Sequence, residues 1–474
     1  MDQETTLLGS PQSTACTITA EYSVASLPYN IIVGLLQFGE GHSEAIQFHM
    51  KRRSYLTTAS VVAAAAVAGC TGGGDDADNE TADGDDGDDG FDDGIGGDDN
   101  GGDDQSDLLG TFDDFEELDA WEPVVGSVES DDGRVYEGSQ SARLLATESE
   151  TQVRIVRELS DPIDVSEAVP GLALSTDGGA NPVIQLHDAD GDILEYQQHT
   201  REGQPFVRHN FGLTSVDGDP DPSEITEIQL ISWVGEEAEE ELWVDDLHFV
   251  SRINTGRVMV QFQGGYATDY TGAFPIMDEH DLTGTTFVAT DRVRESEEAD
   301  GNRMTEAQLD ELVDAGWSVG TVGARGQQLH QVEPDRVESD ILDPLEWFDE
   351  HGYDDAAYFA FPGGRYDEEM YDLVSENYDL GFAGRYQSQG WASNPYNLTR
   401  ISADGDQRNL DGEQLTNIVD WAAAHGGLTS IVFYEMDDGD VSALETLAAR
   451  LAEHQSAGDL ELITPEEIAT EYVD

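Results

Sequence analysis

Adjacent carboxylates are the groups in this 474-residue chain best suited to chemistry, because one can accept a proton while its neighbour holds a cation. Two strings set an Asp-Asp pair directly after a phenylalanine, Phe91-Asp92-Asp93-Gly94 and Thr111-Phe112-Asp113-Asp114. The first lies in a Gly/Asp run with no strand before it, and the second opens a series of short strands, so neither has the setting a catalytic motif needs. The histidines beyond residue 256, His280, His330, His351, His425 and His454, include no pair at ligand spacing, and His330 reads as a surface side chain. His187-Asp188-Ala189-Asp190-Gly191-Asp192-Ile193 offers fewer spaced oxygen ligands than a calcium loop requires; its Asp-Gly step predicts a hairpin.

Two regions must supply the positioning elements. Over 108–251 short alternating segments such as Ser141-Ala142-Arg143-Leu144-Leu145, separated by Gly/Asp turns, predict an all-β sandwich. Over 256–474 strands alternate with amphipathic helices. Strands are expected at 258–262, 285–289, 318–322, 357–361, 381–384 and 430–434, and helices at 305–315, 336–350, 368–377, 413–424 and 442–453. That alternation predicts a parallel sheet closed into an α/β barrel, which places working residues where strands end. The fold class is therefore multidomain, a β-sandwich followed by a distorted (β/α) barrel.

Charge excludes some partners. Lys plus Arg is 21 against 101 Asp plus Glu, a net charge of −80, and Lys51 is the sole lysine. Nucleic acid, which binds through cations that displace its counterions, is not expected. Only 16 of the acids lie between 75 and 107, so the excess is chain-wide. Self-repulsion on that scale needs screening, which reaches a Debye length of about 3 Å at 1 M salt, and the profile is that of a halophile's protein.

From Met50 the chain reads Lys51-Arg52-Arg53, an apolar run from Val61 to Val67, then Ala68-Gly69-Cys70. The apolar run is shorter than the roughly 20 residues needed to span a bilayer. Arg52 and Arg53 resemble a twin-arginine export signal, and Val67 to Cys70 a lipobox whose cysteine is lipidated. Residues 1–49 then precede the true start, 50–70 are the signal, and 71–107 are an acidic tether too polar to collapse. The expected location is the cell surface, lipid-anchored to the outer face of the cytoplasmic membrane, with no intrachain disulfide.

The sandwich, with its opening Phe112-Asp113-Asp114-Phe115-Glu116 and closing Leu242-Trp243-Val244-Asp245-Asp246-Leu247, resembles the galactose-binding-type jelly roll of carbohydrate-binding modules. The order of segments over 256–474 resembles the polysaccharide deacetylases, the NodB-homology or carbohydrate esterase family 4 group. That family's Thr-Phe-Asp-Asp-Gly-Tyr falls on Gln261-Phe262-Gln263-Gly264-Gly265-Tyr266, so the resemblance puts Gln263 at the general base and Gly264 at a metal ligand. Its two metal-binding histidines, one helical turn apart, fall on Val322 and Gly326. Its Arg-x-Pro-x-Gly falls on Ala360-Phe361-Pro362-Gly363-Gly364, where the arginine is missing and the backbone N–H after Pro362 is left as an oxyanion donor. Its general-acid histidine falls on Tyr434.

An amide takes no proton at neutral pH, and glycine, valine and alanine carry no ligand atom. The expectation is therefore a catalytically degenerate barrel without the family's divalent metal, usually zinc. Tyr266, Tyr270, Trp391 and Tyr434 are expected to offer rings to sugars and Gln263 to hydrogen-bond hydroxyls, with envelope carbohydrate as partner. The rival expectation is an active deacetylase working through a different site.

Overall fold

The computed structural model describes residues 108–147, 149–234, 240–353, 357–403 and 409–474. The extension, the signal with Arg52, Arg53 and Cys70, and the tether lie outside the described residues. Among the described residues, no helix is long and apolar enough to cross a membrane.

The first region holds twelve strands: β1 (Gly110–Asp113), β2 (Glu122–Val125), β3 (Ser127–Asp131), β4 (Ser141–Ala146), β5 (Gln152–Ile163), β6 (Ala168–Thr176), β7 (Pro182–Asp188), β8 (Ile193–Gln197), β9 (Val207–Asn210), β10 (Gly212–Asp217), β11 (Ile225–Trp233) and β12 (Glu240–Ser251). They form two antiparallel sheets, in the orders β3-β4-β12-β6-β9, with β1 on β12, and β10-β8-β7-β11-β5-β2. Alternation puts Leu144, Leu172 and Val244 of one sheet and Ile155, Ile184 and Leu230 of the other into one shared core. The expected hairpin is present: β7 and β8 pair from His187↔Ile193, and Gly191 turns at φ +87°. The Asp188 carboxylate accepts the backbone N–H groups of Asp190, Asp192 and Asp221, so it closes turns.

The second region is a nearly closed parallel barrel. Its strands are β13 (Gly256–Gly264), β14 (Thr285–Val288), β15 (Ser318–Thr321), β16 (Tyr358–Ala360), β17 (Leu380–Gly384), β18 (Leu398–Thr399), β19 (Ile401–Ser402), β20 (Leu428–Phe433) and β21 (Leu460–Leu462). The order is β18-β17-β16-β15-β14-β13-β20-β19, with β21 on the outer end of β13. The helices are α1 (Phe274–Glu279), α2 (Glu306–Asp314), α3 (Val337–His351), α4 (Glu368–Asn377), α5 (Gly412–His425), α6 (Asp438–Ala457) and α7 (Pro465–Glu471). Capping boxes at Thr305/Gln308, Asp411/Gln414, Asp437/Asp440 and Thr464/Glu467 start four of them.

The period of two along β13 divides the barrel. Val258, Val260 and Phe262 pack beneath the helices with Leu309, Leu415 and Leu444, while Met259 packs inward with Phe287, Ala360 and Phe382. Gln261 and Gln263 share the parity of Met259 and face inward too. The six expected barrel strands and five expected helices are all present; β18, β19, β21, α1 and α7 carry too few residues to show a period.

Sandwich and barrel are joined by buried amides. Asn210 Nδ2 donates to the carbonyl of Asn394 at 2.7 Å and to Asn397 Oδ1 at 3.0 Å, and Asn394 and Asn397 both donate to the carbonyl of Arg208. Asn210→Ala is expected to cost about 1–3 kcal/mol by leaving buried partners unsatisfied. Calorimetry checks it: the seam should fail first and split one unfolding transition into two, and an unchanged single transition would refute the assignment. Two narrow crevices in the seam, with room for about one water molecule at most, are lined by residues such as Val169, Tyr196, Gln389 and Trp391, away from the strand ends that form the mouth.

Candidate functional site at the barrel mouth

Gln263 lies at the end of β13, buried and inward-facing. Arg400 reaches it from the single residue between β18 and β19. Those two-residue strands pair with β17 and β20 respectively, so the barrel closes across Arg400. Its Nη1 donates to Gln263 Oε1 at 2.6 Å and its Nη2 to the carbonyl of Phe361 at 2.8 Å. Arg400 is only 6% exposed, and burial lowers its pKa, with the nearby Tyr434 pulling the other way. A buried guanidinium thus stands beside Phe361, the residue after Ala360, delivered from a different segment of the barrel. A lone arginine in Leu398-Thr399-Arg400-Ile401 was the available signal, and its meaning rests on barrel closure.

This arrangement makes a stability prediction. Gln263→Glu would set a carboxylate against a buried guanidinium, strengthening an existing hydrogen bond by about 1–2 kcal/mol after the cost of burial. The guanidinium depresses the new carboxyl, so the gain is present above an unfolded pKa of about 4.3 and disappears as pH falls through the lower folded value. Thermal unfolding should shift up by about 2–5 °C at pH 7 and converge with the parent in acid; a lower melting point at pH 7 would count against it.

The three positions at which the resemblance expects metal ligands come together, but the residues present do not fit an ion. Gly264 has φ +116°, and a side chain there would meet the Tyr266 ring at 2.4 Å from Cε2. The Tyr266 ring is itself held by the Arg303 guanidinium, 3.4 Å from its centroid. A side chain at Gly326 would meet Ala289 Cβ at 2.9 Å and Val322 Cγ2 at 3.2 Å. Aromatic and aliphatic carbon therefore occupies the space that ligand side chains would need. Among the described residues, no three His, Cys, Asp or Glu side chains are grouped to hold a metal ion. The buried Asp269 accepts from Thr286 Oγ1 at 3.2 Å, on the strand parity of Val288, which packs beneath the helices.

The segment from Val322 to Gly326 is a loop and not the helical turn the resemblance implied. Gly323 at φ +92° and Gly326 at φ +60° bend it, and Arg325 ties it to the buried Asp340, donating through its backbone N–H at 3.1 Å and Nη1 at 2.8 Å. Pro362 to Gly364 form a short turn whose Gly364 N–H returns to the Phe361 carbonyl at 2.9 Å. The Gln328 amide lies over Gly363, 3.1 Å from where a Cβ would stand. Tyr434, just past β20, places its hydroxyl 3.5 Å from Ser402 Oγ.

Gln263, Gly264, Tyr266, Val322, Gly326, Ala360 and Tyr434 therefore gather at one end of the barrel. Two expected ring donors do not. Tyr270 stacks on Phe274 and donates its hydroxyl to Glu311 of α2, because it follows the turn of chain into the helix layer. Trp391 packs edge-on to Tyr472 at 6.2 Å and donates its backbone N–H to the Ser251 carbonyl, so it fills the seam. His330 is exposed on a one-turn helix.

Residues 252–381 match the family model described as Polysaccharide deacetylase. A putative polysaccharide deacetylase, YxkH of Bacillus subtilis, is 24% identical over 125 residues, 26% of this chain and 43% of that protein's length. Solved structures that resemble this one include the Xyl-CE4 domain of a multidomain xylanase from the hindgut metagenome of Trinervitermes trinervoides, 13% identical over 45% of this chain and 90% of that one, with a TM-score of 0.34. Peptidoglycan deacetylase PdaC from Bacillus subtilis is 15% identical over 45% and 92%, with a TM-score of 0.33. Through residues 252–381, at the heart of its barrel, this chain carries a NodB-type domain of the polysaccharide deacetylase family.

Proposed function

We propose that the barrel mouth binds envelope carbohydrate without hydrolysing it, and that the chain is a lipid-anchored surface protein attached through Cys70. The single observation that carries this reading is the filled ligand positions: the Tyr266 ring against Gly264, and Val322 and Ala289 against Gly326. A deacetylase of this family needs a cation to polarise the acyl carbonyl and a base to activate water. Here Gln263 donates or accepts hydrogen bonds only, and its oxygen is already engaged by Arg400. Buried amides, a guanidinium and the rings of Tyr266 and Tyr434 are groups that recognise hydroxyls and apolar sugar faces. The two-sheet sandwich, read as a jelly roll of the carbohydrate-binding kind, would add a second contact with the same polymer. Its strongly acidic surface keeps nucleic acid away and suits molar salt.

The test is acetate release from acetylated glycans in molar salt with zinc, cobalt or nickel, run beside retention on the same glycans. Retention without acetate release is the expected result. Metal-dependent release abolished by Gln263→Ala would establish the second reading, an active deacetylase, which the family match favours. Peptide mass analysis of the protein from its membrane fraction should find a lipid-modified Cys70; an unmodified N-terminal peptide extending upstream of it would remove the anchor.

A further inference from the structure

The outward face of the sandwich sheet β10-β8-β7-β11-β5-β2 carries a row of polar side chains outside both the barrel mouth and the seam. Leu186, Leu194 and Leu230 turn into the shared core, so by the period of two Gln185 and His187 of β7, Glu195 and Gln197 of β8, and Glu227 and Gln229 of β11 turn the other way. Register sets Gln229 beside Gln185, Gln185 beside Glu195, and Glu227 beside His187. Hydrogen bonds link them. Glu195 accepts from Gln185 Nε2 and from Gln197 Nε2, both at 2.7 Å, and Gln185 Oε1 lies 3.2 Å from His187 Nε2. Glu227 accepts from Gln229 Nε2 at 2.5 Å.

Farther along the same face the side chains become apolar. Ile231 and Val183 are buried but belong to no part of the shared core; in register they lie between Arg154 of β5 and Gln197. Trp233 follows on the same parity, opposite Gln152 and 51% exposed. An indole left in solvent at the end of a row of amides is a ring available for stacking.

Three buried atoms of this face, Gln229 Oε1, Gln152 Oε1 and Arg154 Nε, have no hydrogen-bond partner among the described residues. Glu227 takes the Gln229 NH2 group, which fixes that amide's orientation and leaves its oxygen as the orphan, on a side chain only 9% exposed. Buried polar atoms without partners cost free energy, which a ligand supplying those bonds offsets. Two of the orphans accept and one donates. An anion would serve Arg154 alone and meet the charges of Glu195 and Glu227, and a cation would serve the oxygens alone. A hydroxyl group donates and accepts without carrying charge.

We propose that this sheet face binds a neutral polysaccharide segment, its hydroxyls bonded to Gln152, Arg154 and Gln229 and one sugar ring stacked on Trp233. The inference rests on the reading of the chain as a carbohydrate binder and gives the sandwich a site of its own, separate from the barrel mouth.

The test measures equilibrium binding of the full chain in molar salt to four neutral polymers, dextran, mannan, galactan and β-glucan, beside the polyanion polygalacturonate. At least one neutral polymer should bind, and more tightly than polygalacturonate. Trp233→Ala should weaken that binding about tenfold or more. Gln152→Met combined with Gln229→Met should do the same while the melting point holds or rises, because an apolar replacement of similar shape removes acceptors that have no partner. A double variant melting well below the parent would mean that those oxygens are bonded within the protein and overturns the site. Tyr434→Ala separates the two sites. Binding lost in Tyr434→Ala and untouched by the sheet variants overturns this inference and leaves the mouth standing; the reverse pattern supports the sheet face and removes the mouth. Tighter binding of polygalacturonate overturns the neutral ligand, and binding to none of the five polymers overturns both sites.

Discussion

Gly264→Asp installs the residue type that the resemblance puts at this position, and it should destabilise the barrel by about 2–6 kcal/mol while gaining no metal. Two independent costs add. A non-glycine residue at φ +116° carries about 1–3 kcal/mol of backbone strain, and a Cβ 2.4 Å from the Tyr266 ring forces repacking worth about 1–3 kcal/mol. Denaturant unfolding at constant salt gives the free energy, and equilibrium dialysis with zinc gives the metal content. Adding Tyr266→Ala should recover the packing part and leave the strain. An unchanged midpoint with one zinc bound per chain would mean that the mouth is still built for a cation.

Arg325→Ala should cost about 2–4 kcal/mol at neutral pH, because it leaves the fully buried Asp340 carboxylate with a backbone N–H in place of a guanidinium. Burial raises the Asp340 pKa, with the backbone N–H and charge of Arg325 opposing it. The sign follows from that direction. A carboxyl with a raised folded pKa favours folding while protonated and loses that contribution as pH climbs from its unfolded toward its folded value. Removing the cation raises the folded pKa further, so the variant's deficit should shrink at pH 4 relative to pH 7.5. Urea midpoints at the two pH values check this; a deficit independent of pH would mean that Asp340 does not titrate in this range. The loop carrying Val322 and Gly326 is the segment expected to loosen first.

The outcome at individual residues shows what can be read along a chain. Alternation on β13 is enough to turn Gln263 inward, and helix caps such as Thr305 and Asp437 mark where the outer helices begin. Arg400 escaped that reading because it sits between two strands of two residues each, whose partners lie on opposite sides of the barrel opening. Tyr270 and Trp391 looked like mouth residues by their nearness to motif segments. A five-residue helical turn sends the first into the helix layer, and docking against β6 and β12 claims the second.

Amino-acid identity alone determined the acidic charge balance, the order of strands and helices, and the lack of donor atoms at Gly264, Val322 and Gly326, since these are properties of single residues or of short periods. The tertiary structure decided that a ring fills the first of those positions and that Arg400, from a distant segment, meets Gln263 beside it. Such meetings depend on barrel closure and on the amide-lined seam, where contacts join residues far apart in the chain and leave no local pattern behind.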